Sequence, residues 1–448
     1  MIAPLLAVAN LDLHRGRRTL ATGIHFTLDP GQYIELCGAN GSGKTTLLRL
    51  LAGLGEASKH ATLRFAEGVE TFHFSARHAF RPELSVAAQL MFSISLFNRE
   101  VRPEECQALL SRVGLSKHQR QRVGALSEGQ IRRLMLAVMA GAKRQIWLID
   151  EPLNALDTEA VALLGTLISE HLAQGGAAVV ATHQPLDERL PALATHRAAR
   201  VRLGRDSTLV KEACQAAPHI ARAAPTQGAG LFWVLRREWA LLIARPQDAL
   251  WPAVFHWMVV SLFPFGLGSD SALLARIGPG VFWVSALLAM LLAGQRMVAA
   301  DHEHGALDQM ISAGLAPSLI AAGKMCLQFI AIGLPLSLAS FPLGLQYGLS
   351  GETLVLLAGS MALGLVSLSA LSALFSALGL MARQAQIAVS MASLPCFVPV
   401  LIFGSAVAQS AQAGLSAEAP LMVLAALAVL SVIALPVVAA RVLMLAVD

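Results

Sequence analysis

Residues 38–46 read GANGSGKTT. Gly38, Ala39, Asn40, Gly41, Ser42, Gly43, Lys44 and Thr45 fit G-x-x-x-x-G-K-[ST], and Thr46 follows. Such a loop wraps backbone N–H groups around phosphate oxygens, and the helix opening behind it adds the positive end of its dipole. Lys44 has the reach for the β- and γ-phosphates, and the Thr45 hydroxyl suits Mg²⁺. A second stretch, IWLIDEP, puts Asp150 at the end of an apolar run, where a carboxylate can hold Mg²⁺ through water. Glu151 comes next and would polarise an attacking water. The pair of stretches points to hydrolysis of a nucleoside triphosphate on one sheet. A phosphate loop alone leaves kinases and GTPases open.

These residues need an α/β frame, and the first part of the chain reads as one. LLAVANLDLHRG and GIHFTLDPGQYIELCG run or alternate apolar and break at Gly and Pro, as strands do. KTTLLRLLAGL has helical spacing directly behind the glycine loop. QIWLID and AAVVATH are short apolar runs, expected as buried strands, with the amphipathic TEAVALLGTLISEHLAQGG between them. The alternation predicts a largely parallel sheet with helices on both faces over 1–205. The pattern is lost over 206–228, read as a linker, and a second domain fills 229–448.

Three further motifs narrow the class. LSEGQIRRLMLA starts at Leu126 and resembles the LSGGQ signature of ABC transporters, with Ser127, Gly129 and Gln130 in place and Glu128 at the variable position. NALD (154–157) resembles that family's D-loop, and His183 in VVATHQ resembles its switch histidine. The resemblance implies two such domains sandwiching two ATP molecules. Gly38–Thr46, Asp150, Glu151 and His183 of one chain would then face Ser127 and Gly129 of the other. Two departures stand out. The family stacks an aromatic ring on adenine upstream of the phosphate loop, whereas LHRGRR offers His14 or Arg15. The family also carries a Q-loop glutamine where FHFSARHAFRPELS offers His73 and His78.

Composition divides the 448-residue chain. It is 55% hydrophobic and 14% charged, against roughly 25% charged for soluble domains. Only 12 of the 200 residues from Ala249 onward are charged. The net charge of +5 comes without a Lys/Arg block, which makes nucleic acid a poor partner. Five scattered cysteines fit reduced thiols facing the cytosol. The MIAPLLAVANLDL start has no basic n-region, so a signal peptide is not expected.

LFWVLRREWALLIARPQDAL mixes apolar residues with Arg236, Arg237, Glu238 and Arg245, the profile of a helix at the membrane interface. Six hydrophobic segments follow, near 249–268, 278–298, 317–345, 353–380, 385–408 and 420–445, each long enough to cross ~30 Å of hydrocarbon. Pro335 and Pro342 are placed to kink the third. With the nucleotide domain inside, Arg296, Lys324, Arg383 and Arg441 fall at inner ends and Asp270, Glu352 and Glu418 at outer ends. Arg276 is the exception. This predicts a multi-pass membrane protein, in lipid contact, with its C-terminus cytoplasmic.

The segments around SLFPFGLG and ARIGPGVFWVSALLA are similar to the permease (B) subunit of the bacterial cytochrome c maturation haem exporter. RGRRTL and GANGSGKTTLLRLLAGL resemble that system's ATP-binding (A) subunit. The resemblance implies an A–B fusion that uses ATP and Mg²⁺, forms a homodimer through the ATP sandwich, and works with other maturation subunits and a haem chaperone. Haem export and release of haem-loaded chaperone both fit. A general exporter of lipid, drug or polysaccharide is an alternative, as is a mechanical release factor that transports nothing. The loop AADHEHGALDQMISAG (299–314) has the charges of a coupling helix, with Asp301, Glu303 and Asp308 as contacts to the ATPase. HEHG lacks the spacing of a helical metal site. His256, within the first span, is either a haem ligand or a hydrogen bond between packed helices.

Overall fold

The computed structural model describes residues 3–447 apart from 16–17, 56, 59, 76–78, 98–100, 154–155, 184–185, 204–208, 211–226, 269, 295–296 and 382–385. His78, Asn154 and Ala155 of the NALD turn, most of the 206–228 linker, Cys214, Arg296, Arg383 and the Arg15 side chain therefore lie outside the described residues. The chain packs as two compact units. The first comprises 1–227 with 304–315 and 447–448; the second comprises 228–303 and 316–446.

In the first unit the strands are β1 Leu6–Arg15, β2 Arg18–Leu28, β3 Gln32–Cys37, β4 Thr62–Phe65, β5 Thr71–Phe74, β6 Ile146–Asp150, β7 Ala177–Ala181, β8 Arg197–Arg202 and β9 Leu209–Val210. A six-stranded sheet runs β5-β6-β7-β3-β8-β9, and every pairing in it is parallel except β8 with β9. Its central strands β6 and β7 are buried at every residue, which is why they read as unbroken apolar runs rather than alternating ones. An antiparallel sheet, β2-β1-β4, completes the unit. The helices are α1 Lys44–Leu51, α2 Val86–Ser95, α3 Pro103–Arg112, α4 Glu128–Ala142, α5 Thr158–Ala173 and α6 Leu186–Arg189. This is the expected α/β arrangement: α1 follows β3 through the glycine loop, and β6 carries Asp150 to the same end of the sheet.

The second unit is helical: α7 Gln227–Ala244, α8 Gln247–Leu267, α9 Ser271–Gly294 and α10 Ala299–Glu303. After α11 Ala306–Ser312, which packs in the first unit, come α12 Pro317–Gln328, α13 Leu334–Leu345, α14 Gly351–Met381, α15 Gln386–Gln412 and α16 Glu418–Val447. Six helical stretches among the described residues are long and apolar enough to cross a membrane. The third is not one smooth helix. A π-helical turn, Phe329–Gly333, joins α12 to α13 directly before Pro335. Proline supplies no N–H and crowds the preceding turn, and the wider turn absorbs the lost bond.

The core of this unit forms around Trp283, fully buried on α9. Gly364 on α14 and Gly404 on α15 both face the indole, and a Cβ at either would collide with it. Tyr347 donates its hydroxyl to the Val260 carbonyl at 2.5 Å. His256 is fully buried and hydrogen-bonds Ser285 Oγ through Nδ1 at 2.7 Å, tying α8 to α9. The helix α7 has two faces. Phe232, Trp239 and Ile243 are exposed, while Val234, Arg237 and Leu241 are buried. An apolar exposed face suits an interfacial helix, but Arg237 is turned inward rather than toward water.

Candidate functional site

The glycine loop has the backbone its sequence demands. Gly38, Gly41 and Gly43 have φ of 155°, 80° and 103°, values that side-chain-bearing residues rarely adopt. Gly38 is crowded as well, since a Cβ there would stand 2.5 Å from Ser42 Oγ. The loop is closed on its own lysine. Lys44 Nζ donates to the Gly38 carbonyl at 2.7 Å and to Ala39 at 3.4 Å, and the side chain is buried. Lys44 and Thr45 open α1, with Gly43 as the N-cap and no side chain filling the cap. The helix N-terminus thus offers its N–H groups to an anion. Asn40 and Gly41 are exposed on the loop, and Thr46 follows on the first turn of α1.

Asp150 ends β6 and is buried. Burial raises its carboxyl above the ordinary range, and the Thr45 hydroxyl, which donates to it, pulls the other way. Among the described residues its Oδ1 has no hydrogen-bond partner. A buried carboxylate with one unsatisfied oxygen beside a threonine hydroxyl fits Mg²⁺, which prefers hard oxygen ligands and keeps much of its water. Glu151 takes φ 47°, a left-handed value for a non-glycine residue, and donates its N–H to the Ala181 carbonyl at 2.9 Å. That bend turns the carboxylate off the strand line to His183, whose Nδ1 lies 2.9 Å from Glu151 Oε2. Both residues are partly exposed, as a base that meets incoming water must be.

Ser127 is the N-cap of α4 and forms a reciprocal box with Gln130. Ser127 N donates to Gln130 Oε1 at 2.9 Å, and Gln130 N donates to Ser127 Oγ at 3.3 Å. Gln130 Nε2 also reaches His118 Nε2 at 3.1 Å. Ser127 and Glu128 are exposed and Gly129 is partly so, which leaves this helix start open to a partner. Behind it, Arg133 pairs with Asp157 at 2.8 Å and with Glu159 at 2.7 Å. Asp157 in turn caps α5 by accepting from Ala160 N at 2.8 Å. The signature helix and the helix after the NALD turn are thereby tied together.

His14, offered for the base, is exposed and bonds Thr19 Oγ1 at 3.2 Å. His73, offered for the Q-loop place, is buried on β5, and no hydrogen-bond partner of its Nε2 is among the described residues. Burial first, and Arg49 after it, lower its pKa to about 4 against the opposing charge of Asp308. Asp308 belongs to α11, which packs beside β5 in the first unit.

Comparison with known proteins decides the family. The nucleotide unit is similar to three proteins each called "Cytochrome c biogenesis ATP-binding export protein CcmA". The one from Cupriavidus necator is 37% identical over 189 residues, covering 40% of this chain and 83% of that protein. The Vibrio parahaemolyticus protein is 34% identical over 198 residues, covering 42% and 97%. The Rhodopseudomonas palustris protein is 39% identical over 180 residues, covering 38% and 88%. The family described as "ABC transporter" matches residues 21–154, and "CcmB protein" matches 230–446. The chain belongs to the ABC transporters of cytochrome c biogenesis. It joins a CcmA-like and a CcmB-like part in one polypeptide, binds and hydrolyses ATP, and is a multi-pass membrane protein.

Three residues of this ABC chain's nucleotide unit escaped the sequence reading. Arg133 had a visible signal, a basic residue inside the signature with two acids clustered at the start of the following helix. His118 had none, because its bond to Gln130 depends on how the 116–118 turn folds back. Arg49 looked like one more charge on an amphipathic helix, yet its guanidinium reaches Asp308 at 2.7 Å.

Proposed function

We propose that the chain is the joined ATPase and permease of a cytochrome c maturation system, driving haem export or the release of a haem-loaded periplasmic chaperone. One observation carries this reading: a single polypeptide is similar to CcmA over its nucleotide unit and matches CcmB over its helical unit. The chain would lie in the bacterial cytoplasmic membrane with its nucleotide unit and C-terminus on the cytoplasmic side. Two copies would form the ATP sandwich, and other maturation subunits and the haem chaperone would be its partners.

The residues divide the chemistry among them. ATP phosphates would take over the donors of the 38–46 loop, drawing Lys44 from the Gly38 carbonyl to the β- and γ-phosphates. Mg²⁺ held by the Thr45 hydroxyl and, through water, by Asp150 would offset the charge between those phosphates. Glu151 accepts the proton of the water that attacks the γ-phosphorus, the bond to the β-phosphate oxygen breaks, and ADP and phosphate remain. His183 orients Glu151 through the 2.9 Å contact. Ser127 and Gly129 of the second copy close over the γ-phosphate, with Gln130 holding Ser127 in its cap. The closed pair is favoured only to the extent that ATP binds it better than the open one.

Glu151→Gln tests the assignment. It keeps the shape of the site and removes the base, so ATP binding should persist while hydrolysis falls by about 10²–10⁴-fold. In cells relying on this copy, loss of holo-cytochromes with haem-loaded chaperone accumulating identifies chaperone release as the driven step. Loss of both identifies haem delivery. Unchanged holo-cytochromes would overturn the haem reading in favour of a general exporter.

A further inference from the structure

Residues 304–315 fold with the nucleotide unit, although the chain on either side of them belongs to the helical unit. Every residue of α11 in this stretch is buried. Its Asp308 meets Arg49 Nη1 through Oδ2 at 2.7 Å, while no hydrogen-bond partner of Oδ1 is among the described residues. Arg49 stands in the last turn of α1, the helix whose first residues are Lys44 and Thr45. At ~1.5 Å per residue, Arg49 is ~7–8 Å along the axis from Lys44. One short helix therefore carries Lys44 and Thr45 at its start and the cation that meets α11 near its end.

We propose that Arg49 is a positioning residue that reports nucleotide occupancy to residues 304–315 through its ion pair with Asp308, in a chain whose 72–85 stretch contains no glutamine. The proposal rests on reading the chain as an ATP-driven transporter but not on haem as its cargo. The route is short and mechanically simple. A triphosphate that gathers the N–H groups of the 38–46 loop changes the seat of α1. A helix of this length moves as one piece, so the shift arrives at Arg49.

The test is amide hydrogen exchange across 304–315 in the full-length protein in lipid nanodiscs, with and without ATP and Mg²⁺, in the Glu151→Gln background that retains ATP. ATP should slow exchange in this stretch by about fivefold or more, the low end of ordinary coupling between sites. Asp308→Asn is nearly isosteric and should abolish that response while ATP still binds, its affinity changed by no more than the same factor. Asp308→Glu keeps the charge and should restore it, which separates coupling from mere packing. An ATP response that survives Asp308→Asn overturns the proposal, as does a parent protein with no response. If Asp308→Glu fails to restore what Asp308→Asn removes, the pair is structural and the proposal is equally overturned. None of these outcomes depends on cytochrome maturation, so failure of the haem reading would register separately.

Discussion

Asp301 and Asp308 stand on neighbouring short helices, α10 and α11, yet they belong to different units and spend their charge differently. Asp301 is all but sealed within the helical unit. Arg237, with no exposed side-chain surface, grips it with both guanidinium nitrogens, one of them at 3.0 Å. Lys324 Nζ is 2.5 Å from Asp301, 3.1 Å from Glu238 and 3.1 Å from the Met297 carbonyl, so all three ammonium protons have acceptors. Glu238 also pairs with Arg237 at 2.6 Å. Asp308 has one ionic partner in the described contacts, and the Arg49 side chain keeps 24% of its surface in solvent. The first arrangement is a closed network of two cations and two anions that fixes α7, α10 and α12 to one another. The second is an ion pair whose arginine stays partly in water. Burial and the number of partners, not the residue type, decide which aspartate holds structure and which is free to respond.

The contrast breaks most sharply at Asp301. Asp301→Ala would remove the carboxylate that the buried Arg237 and Lys324 share. Removing one partner from a buried ion pair costs about 3–5 kcal/mol, so the variant should unfold well below the parent in detergent and accumulate poorly in membranes. A thermal scan following the helical unit checks this. A loss under about 1 kcal/mol would show that the network is solvated and that the two aspartates differ less than their burial implies.

Acid offers a second way to part the regions, because His73 lies beside the Arg49–Asp308 pair. Burial first, and Arg49 after it, hold the His73 pKa at about 4, below the ordinary 6.5. The unfolded chain therefore takes up a proton that the folded chain refuses between about pH 6.5 and 4. The neutral-histidine fold has its full stability above pH 6.5 and loses it as the pH falls through that window, by at most about 3 kcal/mol. Denaturation of the nucleotide unit across pH 7 to 4.5 should show this slope, and His73→Gln should flatten it. A slope unchanged by His73→Gln would assign the acid sensitivity to other groups.

The same comparison marks what a sequence can disclose. The glycine loop, β6 with its Asp-Glu end, the signature box and the six long apolar helices were all legible, because each is written in consecutive residues whose spacing has one physical meaning. The expectation that Asp301, Glu303 and Asp308 act together against the ATPase is corrected by the packing. Asp301 faces Arg237 and Lys324, Glu303 is exposed, and among the described contacts Asp308 pairs with Arg49 on α1. Helical spacing gives a residue's direction on its own helix. It does not say which distant cation waits there, and these partners are far away along the chain. Arg237 was misjudged for a related reason. It sits among apolar residues and other charges in an amphipathic stretch, and its carboxylate partners Asp301 and Glu238 explain why a guanidinium belongs inside.

The smallest effect on stability is expected at Asp308, and that is what makes the residue informative. Replacing it with Asn removes an ion pair whose arginine is partly solvated and has further interactions. Such pairs contribute about 1 kcal/mol or less. Asp308→Asn should therefore shift the unfolding midpoint of the nucleotide unit only slightly, far less than Asp301→Ala shifts that of the helical unit. It should do so even though Asp308 itself is buried, because the charge left behind can turn toward water while Arg237 cannot. Measuring both variants in the same detergent under one denaturation protocol decides the matter. If Asp308→Asn costs as much as Asp301→Ala, the Arg49 contact is a second structural clamp and the distinction between the two aspartates collapses.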